Sequence, residues 1–99
     1  MTGIHNEATD QLFKTLMSLS SLEECYDLFE DLCTIKELQD ISQRLQVALL
    51  LDRGMKYQEI GTITGVSPAT ISRVNRCLVY GTGGYRRAID KIKAAETAK

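Results

Sequence analysis

The residues best suited to chemistry lie between positions 68 and 76, in the run PATISRVNR. If this run is helical, Ile71 and Val74 share one side of the helix. The opposite side carries hydroxyl, amide and guanidinium donors and no carboxylate. Such a helix can enter the DNA major groove with its N-terminal residues toward the base edges. The outward residues are Ala69, Thr70, Ser72, Arg73, Asn75 and Arg76. The residues of this run expected to contact DNA are Pro68, Ala69, Thr70, Ser72, Arg73 and Arg76.

The segment before this run predicts a second helix and a tight turn. Ile60, Ile63 and Thr64 are three and four residues apart, so they share one helical face. Gly65 follows them and suits a helix end, because it accepts a positive φ at little cost. Ser67 is a good N-cap residue, and Pro68 fits the first helical position. We therefore predict a helix-turn-helix over about residues 57–78.

The packing of this pair can also be anticipated. Gly61 is expected to be small where the two helices cross, with Ile60, Val66, Ile71, Val74 and Leu78 turned inward. A helical hairpin used only for packing would show a similar apolar period. The placed glycine, the Ser-Pro start and the arginine-bearing outer face together favour DNA binding.

The charge distribution supports this interpretation. Residues 1–52 hold 3 Lys/Arg and 10 Asp/Glu, a net charge of −7, whereas residues 53–99 hold 9 and 3, a net charge of +6. The basic half contains the predicted helix-turn-helix, and a local positive field favours phosphate contacts. Lys56, Tyr57 and Gln58, at the start of its first helix, are expected to anchor the DNA backbone. The two halves could alternatively pair with each other.

The length and composition of the chain limit its fold class and its function. A chain of 99 residues with one proline and no tryptophan favours one all-α domain, here 8–96, between a flexible tail (1–7) and a frayed end (97–99). No signal peptide or long apolar span is evident, so a cytoplasmic protein without membrane contact is expected. No metal site is expected from Cys25, Cys33 and Cys77, which lack CxxC or His spacing. An enzyme is not expected either, because His5, the only histidine, lies in the tail.

The first half predicts helices over about 8–19, from Ser21, and from Thr34 to about Arg53. Ser21 with Glu24, and Thr34 with Glu37, have the spacing of capping boxes. The segment Val47–Leu51 is apolar on nearly every side, and such a helix must be buried all round. Because so short a chain can hardly surround it, we predict a homodimer with interlocking N-terminal helices.

A last helix is predicted over about 84–96. Thr82 is a candidate N-cap in the glycine-rich segment before it. This segment does not fit a nucleotide-binding P-loop, because no strand precedes it and no Lys-Ser/Thr follows. The helix is expected to turn Arg86, Arg87, Lys91 and Lys93 outward.

The order of helices and three local segments resemble the Trp-repressor superfamily, in particular its YerC/YecD-type branch. The segments are ISQRLQVALLLDRG (41–54), PATISRVNR (68–76) and YGTGGY (80–85), and the resemblance extends from about Leu12 to Ile92. It implies an all-helical, intertwined dimer with one helix-turn-helix on each subunit.

The resemblance also implies an effector pocket, which can be compared position by position. Thr34, Arg44 and Arg73 match the family's ligand-contacting threonine and two arginines. Val74 replaces a glycine that leaves space for tryptophan, and Cys77 replaces a serine that helps to hold its amino group. A valine occupies volume, and a thiol is a poorer hydrogen-bond partner. We therefore expect no tryptophan cofactor; the two arginines would be structural or serve an unknown anion.

The sequence thus favours a transcriptional regulator, by its resemblance a repressor, that binds double-stranded DNA as a homodimer. The alternative is a protein-interaction module that keeps the fold without recognising a DNA sequence; the acidic first half could bind a basic partner. A DNA-binding domain like that of replication initiators shares this helix class but usually belongs to a larger protein.

Overall fold

The computed structural model describes residues 3–98, and within them the chain forms six α-helices and no strand. The all-α prediction is therefore confirmed. Met1, Thr2 and Lys99 lie outside the described residues. The helices are α1 (Glu7–Ser18), α2 (Leu22–Leu32), α3 (Ile35–Asp52), α4 (Tyr57–Thr64), α5 (Pro68–Tyr80) and α6 (Gly84–Thr97). The chain divides into two compact units, one ending at Leu38 and the other beginning at Gln39.

The first unit is organised by hydrogen bonds at its helix starts. Asn6 caps α1 by accepting from the Thr9 N–H at 2.8 Å, so α1 begins within the predicted tail. Ser21 caps α2 by accepting from the Glu24 N–H at 3.1 Å. The Glu24 carboxylate accepts in return from the Ser20 N–H and hydroxyl, which lowers its pKa. In the predicted capping box the Glu24 side chain would bond the N–H of Ser21, but it bonds Ser20, one residue earlier.

The second unit is built around the end of α3. Val47 and Ala48 are fully buried and Leu50 is nearly so, against apolar side chains of the three following helices. These partners are Ile60 of α4, Ile71 and Val74 of α5, and Ile89 of α6, with Leu49, Leu51, Met55, Val66, Leu78 and Tyr85 around them. The expectation that this chain can hardly surround Val47–Leu51 was therefore wrong for Val47, Ala48 and Leu50, whereas Leu49 and Leu51 are only partly buried. The homodimer stays a prediction. The chain's own later helices cover much of this segment.

The junctions before and after α4 follow the sequence closely. Gly54 and Gly65 both have positive φ, +83° and +74°, as expected of helix ends. Of the residues that share one face of α4, Ile60 is buried, whereas Ile63 is 57% exposed. The expectation about Gly61 was wrong. A Cβ on Gly61 would make only ordinary contacts, 3.6 Å from the Val66 carbonyl oxygen, so the crossing does not demand a glycine.

The junction between α5 and α6 depends on two other glycines. A Cβ on Gly81 would clash with the Cys77 carbonyl oxygen, so a larger residue would displace the backbone. Gly83, with φ of +94°, occupies the N-cap position of α6. The assignment of Thr82 as this cap was wrong, because the chain needs a left-handed residue immediately before the helix.

Candidate nucleic-acid interface

Hydrogen bonds within α4 and from α3 hold the turn between α4 and α5. Gly65 donates its N–H to the Gly61 carbonyl at 2.9 Å. The Thr64 hydroxyl accepts from the Val66 N–H at 3.1 Å and donates to the Ile60 carbonyl at 2.7 Å. From α3, the Gln43 side-chain amide reaches the Thr64 carbonyl at 3.4 Å. These bonds fix the direction in which α5 leaves the turn.

The start of α5 is equally well determined. Ser67 has an extended backbone, and its hydroxyl oxygen accepts from the Thr70 N–H at 3.2 Å. The same hydroxyl donates to the Thr70 Oγ1 at 3.1 Å. Pro68 occupies the first turn, where its fixed φ suits a helix and its missing N–H costs nothing. The first turn of α5 is therefore held in place without any ligand.

The outer face of α5 is open. Ile71 and Val74 are buried, whereas five of the predicted contact residues on this helix are exposed and Thr70 is half-buried. The exposed five are Pro68, Ala69, Ser72, Arg73 and Arg76. The helix has no acidic residue, and a carboxylate there would repel phosphate. Asn75, predicted to face outward, is half-buried.

The start of α4 lies beside this face. Lys56 takes the N-cap position with an extended backbone and makes no side-chain capping bond. Tyr57 and Gln58 are exposed and, together with Pro68, line an open groove of about 520 Å³ between α4 and α5. The three predicted backbone-anchoring residues thus lie at the end of α4 that borders the start of α5.

A smaller cavity of about 140 Å³ lies along one edge of the outer face of α5. Arg44 of α3 and Arg73 line it with Thr70, Val74 and Cys77. Four of the five predicted effector-pocket residues therefore meet, and Val74, 2% exposed, leaves some space. The sixth lining residue is Tyr85 of α6, which was not predicted because the glycine-rich segment was interpreted only as a break.

The fifth predicted pocket residue, Thr34, lies in the first unit. Its hydroxyl oxygen accepts from the Glu37 N–H at 3.0 Å, and the Glu37 carboxylate accepts from the Thr34 N–H at 2.8 Å. The capping box predicted at the start of α3 is therefore present. A ligand-binding role of Thr34 stays a prediction.

Two basic residues of α6 form ion pairs with Asp52 at the end of α3. The Arg86 guanidinium lies 2.8 Å from Oδ1 of Asp52, and the Lys93 ammonium lies 2.6 Å from Oδ2. The Lys93 and Arg86 side chains hold the pKa of the Asp52 carboxyl below its ordinary value, and the same contact raises the pKa of Arg86. Both cations are exposed, as the sequence predicted, but each is engaged in an ion pair with Asp52.

Residues 3–98 provide neither a metal site nor a membrane span. No cluster of His, Cys, Asp or Glu is arranged to hold a metal ion within this range. None of the helices described is both long and apolar enough to cross a membrane.

Comparison with known proteins identifies the family to which this chain belongs. The family model of the Trp repressor protein matches residues 7–93. The chain is 52% identical over 94 residues to the protein YerC of Bacillus subtilis (strain 168), covering 95% of this chain and 90% of that relative. A TrpR-like protein from Eubacterium eligens ATCC 27750 superposes with a TM-score of 0.88 at 47% identity, covering 91% and 93% of the two chains. A solved structure from Staphylococcus aureus gives the same TM-score at 42% identity, covering 94% and 96%. The chain belongs to the Trp repressor family, as its sequence predicted.

Proposed function

We propose that this protein is a sequence-specific DNA-binding transcriptional regulator, acting in the cytoplasm as a homodimer. The observation that carries the proposal is the first turn of α5. Ser67 and Gly65 fix it, its outer residues are exposed, and the helix bears no carboxylate. A preformed, acid-free helix start suits the major groove, because base edges there offer a distinct set of donors and acceptors.

The residues divide into those that read sequence and those that position the protein. Pro68, Ala69 and Thr70, at the start of α5, would approach base edges. Ser72, Arg73 and Arg76 would contact bases or phosphates from the same face. The residues at the start of α4 would hold the backbone and fix register without reading sequence; they are Lys56, Tyr57 and Gln58.

Self-association is supported by the apolar surface of the first unit. No residue from 3 to 38 is buried, yet α1 and α2 carry apolar side chains at helical spacing. Met17, Leu22 and Ile35 are 84%, 74% and 79% exposed. Apolar surface on this scale usually marks an interaction site. In a symmetric dimer the same surface of both copies would be covered.

A dimer makes a geometric prediction about its operator. Two helix-turn-helix units bind half-sites about one DNA turn apart, roughly 34 Å, so the preferred sequence should be a palindrome. The decisive experiment is selection of bound fragments from random double-stranded DNA by the purified protein at two salt concentrations. We expect a palindrome to be enriched. Recovery without enrichment, or no recovery by a folded protein, would contradict sequence-specific regulation and favour the protein-interaction module.

Two variants separate reading from positioning. Thr70→Ala should weaken the preference at one base pair, where a mismatch typically costs about 1–3 kcal/mol. Arg76→Gln should instead lower affinity for all sequences and reduce the salt slope by about 0.9. Lys14→Gln, in α1, makes the same charge change outside the helix-turn-helix and should alter neither property. Unchanged binding by both test variants would contradict the assigned contacts.

We further propose that Arg44 and Arg73 hold a small anion. Two cations lining one cavity with no carboxylate among its lining residues favour a negatively charged ligand. Its volume of about 140 Å³ is below the roughly 300–1,000 Å³ of typical small-molecule sites, which argues against a ligand as large as tryptophan. Calorimetry with inorganic phosphate should show binding that Arg44→Gln removes. Binding of tryptophan but not phosphate would contradict this assignment.

A further inference from the structure

The basic residues of α6 lie on two different faces of that helix. Arg86 and Lys93 are seven residues apart, two helical turns, so they share one face. Arg87 and Lys91 are four apart and share another. Ile89, fully buried, marks the side that packs on the core. At 100° per residue, Arg87 and Lys91 fall roughly opposite to it.

Asp52 engages only the first of these pairs. Its side chain is 9% exposed, and its two oxygens lie 2.8 Å from the Arg86 guanidinium and 2.6 Å from the Lys93 ammonium. A second carboxylate, Asp90, lies 3.6 Å from Arg86. For either cation to reach a phosphate, it would first have to leave a short, charge-assisted contact with a mostly buried carboxylate. Both are therefore poorly available to DNA.

Arg87 and Lys91 are in a different situation. Both are exposed, and neither makes an ion pair within the described part of the chain. Their face also carries Gly84, Ala94 and Ala98. Asp90 borders this face, but its ion pair is with Arg86, at 3.6 Å. The Arg87 guanidinium lies near Gly83, 3.1 Å from where a Cβ on that residue would be, and Arg87 is exposed. Exposed cations without an ion-pair partner suit a phosphate backbone.

We propose that α6 makes a second, sequence-independent contact with the phosphates of duplex DNA through Arg87 and Lys91. Arg86 and Lys93 take no part in that contact, because both form ion pairs with Asp52. The inference rests on the proposed DNA-binding function and extends it beyond the helix-turn-helix. It also makes Asp52 a positioning residue, because it decides which cations of α6 add to DNA affinity without touching DNA itself.

Four glutamine variants test the division, because each removes one positive charge from the same helix. Binding of the full chain to a 30-bp duplex of non-palindromic sequence is measured between 50 and 200 mM salt. For Arg87→Gln and for Lys91→Gln we expect a slope smaller by about 0.9 each. The loss of affinity across that range then becomes about 3.5-fold smaller. For Arg86→Gln and Lys93→Gln we expect the wild-type slope, with circular dichroism confirming that all four are folded.

The outcomes separate the two proposals. Equal slope reductions in all four variants would overturn the division by Asp52 and leave only an effect of net charge. Wild-type slopes in Arg87→Gln and Lys91→Gln would overturn the contact through α6, although the helix-turn-helix proposal would stand. Absence of any DNA binding by the wild type would overturn the proposed function itself.

Discussion

The two compact units bury their apolar side chains to very different extents. In residues 39–98, seven apolar side chains from four helices form a buried core. In residues 3–38 no side chain is buried, although α1 and α2 are as clearly amphipathic as the later helices. The second unit therefore has a core of its own, whereas the first relies on local capping bonds and on whatever covers its apolar faces.

The difference in burial suits the two units to different roles. A closed core can hold the helix-turn-helix in one geometry, which a reading surface requires. An uncovered apolar surface instead favours association. The charges follow the same division, because residues 1–38 hold 2 Lys/Arg and 8 Asp/Glu, a net charge of −6, and residues 39–99 hold 10 and 5, a net charge of +5. Under the proposed function only the second unit would approach phosphate.

The largest expected effect tests whether the second core is closed. Ile71 is fully buried between α5 and its neighbours, so Ile71→Ala should lower the free energy of unfolding by about 2–5 kcal/mol. Ile63→Ala, at a 57% exposed position, is the control and should change it by less than about 0.5 kcal/mol. Urea denaturation measures both. Equal losses would show that this unit also needs a covering partner.

The second prediction concerns the uncovered surface. Leu22 and Ile35 each occupy the first position of a helix, where an acidic residue suits the helix dipole. Leu22→Asp and Ile35→Asp should therefore leave the helices intact but raise the dimer dissociation constant at least about tenfold, or ~1.4 kcal/mol. Sedimentation measures the effect, with Ile4→Asp, before the start of α1, as a control. Unchanged association in both variants would remove the first unit from the interface.

A smaller effect tests the local bonds of the first unit. Ser21→Ala removes the acceptor for the Glu24 N–H and should cost about 1 kcal/mol, within a range of roughly 0.5–2. Ser18→Ala, whose hydroxyl only donates to the Thr15 carbonyl one turn away, serves as the control and should change stability less. Thermal melting at fixed protein concentration measures the difference. A smaller loss at Ser21 than at Ser18 would show that this cap contributes little.

Local chemistry explains what the sequence predicted well. Caps, turns and helix starts depend on neighbouring residues, so the roles of Ser67, Pro68 and Gly65 followed correctly from their residue types and spacing. The family and the helical fold followed from the same local segments. The nine predicted DNA contacts lie where the helix-turn-helix can present them, although their role stays a prediction.

Interactions between distant residues explain what the sequence missed. Periodicity shows that Val47–Leu51 is apolar but not that α4, α5 and α6 cover it. Arg86 and Lys93 are 34 and 41 residues from Asp52, so nothing local indicates that this carboxylate binds them. Tyr85 reaches the cavity beside α5 only because α6 packs there.

The smallest expected effect comes from one such error, at Gly61. Because a Cβ there would lie 3.6 Å from the Val66 carbonyl oxygen and 3.9 Å from Ile71 Cδ1, the closed core has room for it. Gly61→Ala should therefore stabilise the second unit by about 0.5–1 kcal/mol, since alanine favours a helix interior. The control, Gly65→Ala, should cost about 1–2 kcal/mol, because φ at that position is +74°. Chemical denaturation measures both changes, and a loss at Gly61 would mean that α4 and α5 pack too tightly to admit one methyl group.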